Sequence, residues 1–216
     1  MLDRARKYAA HGWPVFPLIP GQKKPLIKSA HPPGHGCKGE CGALGHGLYD
    51  ATLDDALIAA WWGEDGGAID ANIGIRTGVA CWVLDIDCKA PKGGGLTGPE
   101  MVALLEAEHG SLPVTLSVRT PGGGEHRFFR LPPDRIIPNR TTIHAPDGRK
   151  TSLDVRGAGG YVVAEPSTVD GKPYAVLVRA TMAFAPRWLL DVVAPPKRDR
   201  AQPTAKITSS AGERAT

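Results

Sequence analysis

Apolar positions recur at helical spacing in four stretches, and short strand-like runs lie between them. Asp3 to His11 reads as a first helix, stopped by Gly12. WPVFPLI is extended, and its two prolines suit the edge of a sheet. GQKKP is a loop. Thr52 is placed to cap a second helix, DDALIAAWW, with Asp54 and Asp55 in its first turn. NIGIRTG and ACWVLDID read as successive strands. A third helix, PEMVALLEAEH, opens at Thr97, Pro99 and Glu100 and closes at Gly110. VTLSVR and HRFFRL follow as strands joined by TPGGGE. Asp147-Gly148 marks a hairpin before TSLDVR, then GAGG leads into YVVAE, and YAVLVR is a further strand. APRWLLDVV forms the last helix. Helices interleaved with strands in mixed order predict an α+β fold with a mixed or antiparallel sheet.

Two segments lack periodicity. Ser29 to Gly47 holds mainly Gly, Pro, His and Cys, and a loop that long needs a functional or structural reason. Beyond Ala194 the chain has almost no apolar content. The expected organisation is one domain over residues 1–193, with an inserted loop at about 29–47 and a linker or disordered tail over 194–216.

Composition changes this picture little. At 216 residues, 42% hydrophobic and 22% charged, the chain can bury a core, which argues against wholesale disorder. Gly 27 and Pro 20 make up more than a fifth of the chain, against a usual ~12%. A net charge of +4 permits a polyanionic partner without demanding one. No apolar run approaches the ~20 residues of a membrane span. MLDRARKYAAHG carries charge where a signal peptide is apolar, so a cytosolic location is expected. In that compartment metal binding suits Cys37 and Cys41 better than a disulfide, and Cys81 and Cys88 read as buried thiols.

Four clusters carry candidate chemistry. In CWVLDIDC the alternation of a strand puts Trp82, Leu84 and Ile86 on one face and Val83, Asp85 and Asp87 on the other. Two carboxylates side by side repel unless a cation bridges them, and Mg²⁺ or Mn²⁺ suits hard oxygen ligands. A strand end running into solvent would explain the same acids. In TSLDVRGAGG, Leu153 and Val155 face a core, leaving Asp154 as a third metal ligand or a surface acid and Arg156 as a phosphate contact. Arg119 precedes a glycine turn whose Gly123 and Gly124 backbone can form an anion nest, and His126 follows it. A plain hairpin with an exposed histidine is the alternative. Finally, His31, Cys37, Cys41 and His46 suit tetrahedral Zn²⁺ in a structural site, with His35 able to replace His31.

Taken in order, GWPVFPLIPGQKKP, HGLYDATLDDALIAAWW, NIGIRTG, VLDID, TPGGGEHRFF and LDVRGAGGYVVAEPS resemble the bifunctional primase/polymerase (prim-pol) domain of phages and plasmids, in the archaeo-eukaryotic primase superfamily. The resemblance spans about Ala9 to Ser167. It implies an RRM-like sheet paired with an N-terminal αβ unit, the active site lying in the cleft between them. It implies that Asp85, Asp87 and Asp154 hold two catalytic divalent metals and that His126 contacts the phosphates of an incoming nucleotide. Lys24 and Arg156 match basic positions that contact nucleotide or template. Template-directed nucleotidyl transfer, with single-stranded DNA and nucleoside triphosphates as substrates, is the implied activity. A bacterial host cytoplasm and a downstream helicase or other replisome partner are its expected setting. A two-metal nuclease and a non-catalytic zinc-containing nucleic-acid module are the alternatives that the same residues allow.

Overall fold

The computed structural model describes residues 1–195; the tail expected over 194–216 lies almost wholly outside them. The elements in chain order are α1 (Leu2–Ala10), β1 (Val15–Leu18), a 3-10 turn (Gly47–Asp50), α2 (Asp55–Trp62), β2 (Asn72–Arg76), β3 (Cys81–Ile86), α3 (Gly98–His109), β4 (Ser117–Arg119), β5 (Glu125–Arg130), β6 (Leu153–Arg156), β7 (Tyr161–Val163), β8 (Thr168–Val169), β9 (Lys172–Pro173), β10 (Ala175–Val178) and α4 (Arg187–Val193). The fold is α+β, as expected.

The strands form a five-stranded sheet in the order β10-β4-β5-β3-β6, a three-stranded sheet β1-β2-β7 and the small β8-β9 hairpin. Every pairing between these strands is antiparallel. In the larger sheet β3 lies between β5 and β6, and α3 provides the crossover from β3 to β4. The order β4-β5-β3-β6, with that crossover helix, is the arrangement of an RRM-like sheet.

β3 explains how the sheet is held. Cys81 and Val83 join one core with β1, β2, α1 and α2, whereas Trp82, Leu84 and Ile86 join a second core with α3 and α4. Period-two alternation thus feeds a core on each side of the same strand. All six β3 residues are buried, and Asp85 is the only charged one among them.

Local sequence signals account for the helix ends, with one difference. Thr97 and Glu100 form a capping box at α3, and Gly110 ends that helix at φ 93°. At α2 the cap is Asp54, not Thr52: its carboxylate accepts from the Ala56 and Leu57 amides at 2.7 and 3.1 Å. An acid directly before the first helical residue outcompetes a hydroxyl two positions further back, and the Thr52 hydroxyl accepts from the Asp54 amide instead. The strand expected over VTLSVR shortens to Ser117–Arg119, leaving Val114 exposed. The turn at Asp147-Gly148 is present, with the Gly148 amide donating to Ala145. Cys81 is buried as expected, and burial pushes its thiol up to about 12. Cys88 is exposed, lying past the strand end, where its thiol donates to the Gly123 carbonyl at 3.1 Å.

Candidate active site and zinc-type cluster

Strand register builds the site. Asp85 on β3 is the cross-strand partner of His126 on β5 and of Asp154 on β6. Directly opposed residues on paired strands share a face, so the three side chains form one row across three neighbouring strands. His126 Nε2 lies 3.4 Å from Asp85 Oδ1. His126 Nδ1 is buried and has no protein partner.

Arg156 closes the row. Its Nη2 donates to Asp85 Oδ2 at 2.9 Å and to Asp154 Oδ2 at 2.8 Å, and its Nε donates to Asp85 at 3.1 Å. One cationic nitrogen therefore touches both carboxylates. Burial would raise the Asp85 carboxyl, but its bond to His126 and the charges of His126 and Arg156 hold it well below the usual carboxylate range. Burial likewise disfavours the Arg156 guanidinium, but the charge and hydrogen bonds of Asp85 together with the charges of Asp154 and Asp87 outweigh it, so that pKa is raised.

The other Asp154 oxygen accepts from the Thr142 amide at 2.7 Å. Thr142 has φ 60°, a left-handed conformation that a β-branched residue adopts only at a cost. Backbone strain there is coupled to aiming an N–H at Asp154. Asp87 follows β3 at its exposed end, with its amide on Ser152 and its carbonyl accepting from Gly98. Partial desolvation and the neighbouring Asp85 raise its carboxyl above the usual value, partly offset by Lys23.

A cavity of 230 Å³ opens beside Asp85 and His126, lined by them and Arg156 together with Lys23, Asn139 and Tyr174, whereas Asp154 and Asp87 are not among its lining residues. Gly159, Gly160 and Tyr161 complete one wall, so GAGG does bring backbone to the cavity. Lys24 is not among the lining residues; its neighbour Lys23 is. Arg119, Gly123 and Gly124 line a different depression of 520 Å³, against α3. Parity explains this: Arg119 pairs with Glu125, one residue from His126, and so points to the opposite face. The turn's Gly123 amide donates to the Thr120 carbonyl, so that N–H is not free to cradle an anion, while the Gly124 carbonyl accepts from the Thr120 amide. Gly124 has another use. A Cβ there would lie 2.5 Å from the Ile86 carbonyl, so only glycine lets the turn pack against the strand end that carries Asp87.

Lys23, Asn139, Thr142 and Tyr174 escaped the sequence reading. Lys23 had a signal in the KKP pair, and Tyr174 had none.

A second cluster lies in the long loop. One ligand atom from each of His31, Cys37, Cys41 and His46 falls within 4.8 Å of the others. This set could hold a zinc ion. Cys41 Sγ is 3.4 Å from His46 Nε2, and His31 Nε2 is buried with no partner. His46 Nδ1 faces Asp50 Oδ1 at 3.4 Å, while Asp50 Oδ2 accepts from the Gly45 and His46 amides, each at 2.9 Å. A carboxylate behind a ligating imidazole is the usual outer support of a zinc site. His35 stacks on His31 at 4.1 Å between ring centroids and receives the Cys37 amide on Nδ1 at 3.3 Å, which places it beside the cluster. All four cysteines are free.

The profile of a family described as "bifunctional DNA primase/polymerase, N-terminal" matches residues 5–188. The chain belongs to the prim-pol family. That membership covers nearly all of the described residues and agrees with the RRM-like sheet and the zinc-type cluster. It supports a primase- or polymerase-type function and, with it, DNA and nucleotides as substrates. No curated protein matches the chain. Among the described residues, no helix is long and apolar enough to cross a membrane.

Proposed function

We propose that this prim-pol domain is a template-directed DNA primase/polymerase, transferring a nucleotide from a triphosphate to a 3′-hydroxyl on a single-stranded template. The observation that carries this reading is Arg156 Nη2, one cationic nitrogen within 2.9 Å of both Asp85 and Asp154. Two carboxylates converging on a single cation have the donor chemistry that suits Mg²⁺ or Mn²⁺. Asp85, Asp87 and Asp154 would hold the divalent metals, whose chemistry is activation of the attacking hydroxyl and stabilisation of charge at the phosphate and on the departing pyrophosphate.

The remaining residues position and neutralise. Arg156, released from the carboxylates, is long enough to turn its guanidinium onto a phosphate of the nucleotide. His126, fixed by Asp85 on one ring nitrogen, offers the other toward a phosphate oxygen. Lys23 brings a further cation to the cavity wall. Charge stabilisation and positioning of this kind account for most catalysis in phosphoryl transfer. His31, Cys37, Cys41 and His46 hold a structural Zn²⁺ that folds a loop too polar to order itself.

The test is incorporation of labelled nucleotides on a single-stranded template with Mg²⁺ or Mn²⁺, for the wild type and for a variant combining Asp85→Ala and Asp87→Ala. Metal-dependent lengthening that the double variant loses supports the proposal. Full activity in the double variant removes the site. Shortening of a labelled strand without nucleotides would instead indicate a nuclease.

A further inference from the structure

The short turn Gly47–Asp50 joins three features. His46 precedes it and belongs to the zinc-type cluster, Leu48 lines the catalytic cavity, and Asp50 braces His46. Tyr49 lies between them, and two cations gather on its ring. The Arg76 guanidinium carbon is 5.2 Å from the ring centroid and Lys38 Nζ is 5.6 Å from it. Arg76 ends β2 and is the cross-strand partner of Tyr161, a cavity residue. Lys38 sits in the loop between Cys37 and Cys41.

Neither cation forms an ion pair among the described residues. Arg76 Nε is buried with no hydrogen-bond partner. The carboxylate nearest in sequence, Glu40, accepts from the Lys38 backbone amide instead. Each cation is drawn to the ring quadrupole, which offsets only part of the cost of leaving a charge without a counter-ion. A buried guanidinium edge without an acceptor adds to it. An oxyanion would satisfy both.

We propose that Arg76 and Lys38, gathered on Tyr49, form a phosphate subsite adjoining the catalytic cavity through Leu48 and Tyr161, and that the zinc-type loop supplies one of its two cations. The loop then does more than brace the fold, because ordering it between Cys37 and Cys41 also positions Lys38. The inference rests on reading the cavity as a nucleotidyl-transfer site. The phosphate belongs either to the incoming triphosphate or to the nucleic-acid strand, and both carry the same oxyanion chemistry.

The experiment measures binding of a nucleoside triphosphate with Mg²⁺, and separately of a single-stranded oligonucleotide, to the wild type, Lys38→Ala and Arg76→Ala. Thermal midpoints are recorded for each variant, and Arg76→Gln replaces Arg76→Ala if the latter fails to fold. Both substitutions should weaken the same ligand, each roughly five- to twentyfold, as expected for loss of a charge-assisted contact. Weakened triphosphate binding assigns the subsite to the nucleotide, and weakened oligonucleotide binding assigns it to the strand. Unchanged affinity for both ligands, an effect of only one substitution, or a wild type that binds neither ligand overturns the proposal. A wild type that binds through these residues but incorporates no nucleotide leaves the subsite standing and removes the nucleotidyl-transfer reading.

Discussion

His126 Nε2 lies 3.4 Å from Oδ1 of its cross-strand partner Asp85, while Arg156 holds the other oxygen of the same carboxylate. Asp85 is thus a buried anion with a donor on each side, and the chemistry of the cavity turns on what replaces Arg156.

Replacing Arg156 should unbalance the metal-free protein. Arg156→Met leaves Asp85 and Asp154 facing each other with no shared cation. The guanidinium is partly open to solvent, so the expected loss is about 1–2 kcal/mol, below that for breaking a fully buried pair. Added Mg²⁺ or Mn²⁺ should restore stability in Arg156→Met more than in the wild type, because binding to the native state stabilises it by mass action. Thermal melts with and without the metal read this out. Equal metal responses in the two proteins would contradict it.

Acid should destabilise through Asp85. Its folded pKa lies below its unfolded value, so the unfolded chain binds more protons and the contribution is complete above about pH 5. It is lost progressively as the pH falls through and below the ordinary carboxylate value of about 3.9. Urea unfolding between neutral and acid pH, without added Mg²⁺ or Mn²⁺, should show a shallower acid decline for Asp85→Asn. An unchanged decline would assign acid sensitivity to other carboxylates.

Asp50 should govern metal retention in the loop. Asp50→Ala keeps all four ligands but removes the carboxylate behind His46, and should lower zinc affinity roughly 10- to 100-fold. Competition with a chromogenic chelator measures this directly. In the same preparation, Cys81 should resist a thiol reagent at pH 8 while Cys88 reacts, and Cys37 with Cys41 should react only after zinc removal. Reaction of Cys37 and Cys41 at the same rate with and without zinc would count against the four-ligand site.

Thr142 should be a point of stored strain. Thr142→Gly keeps the amide that donates to Asp154 and relieves the left-handed backbone, so stability should rise by about 1 kcal/mol. A lower unfolding midpoint in denaturant would show that the threonine side chain contributes more than its backbone costs.

Alternation made the face that carries Asp85, Asp154 and Arg156 largely legible. Trp82, Leu84 and Ile86 mark one face of β3, which leaves Asp85 on the other, and Leu153 with Val155 does the same for Asp154 and Arg156. The zinc-type cluster was legible because two thiols and two imidazoles in one polar loop leave little else to do. What failed was register across the glycine turn. Arg119 and His126 both flank that turn, but which face each takes depends on pairing that local sequence does not encode, and Arg119 pairs with Glu125. Lys23 and Lys24 present the same ambiguity, since neighbours in a loop carry no periodicity. Tyr174 reaches the site from a segment distant in sequence, and Thr142 is tied to Asp154 by backbone bonding across a loop that local sequence does not mark.

The most direct test of the central claim uses Asp154→Asn, which preserves the shape of the side chain and its bond to the Thr142 amide. Incorporation of a nucleotide on a primed single-stranded template should fall at least about 100-fold, with a thermal midpoint close to that of the wild type, as expected when a group acting on transition-state charge is lost. Incorporation within about threefold of the wild type would contradict the claim that Asp85, Asp87 and Asp154 together hold the catalytic metals.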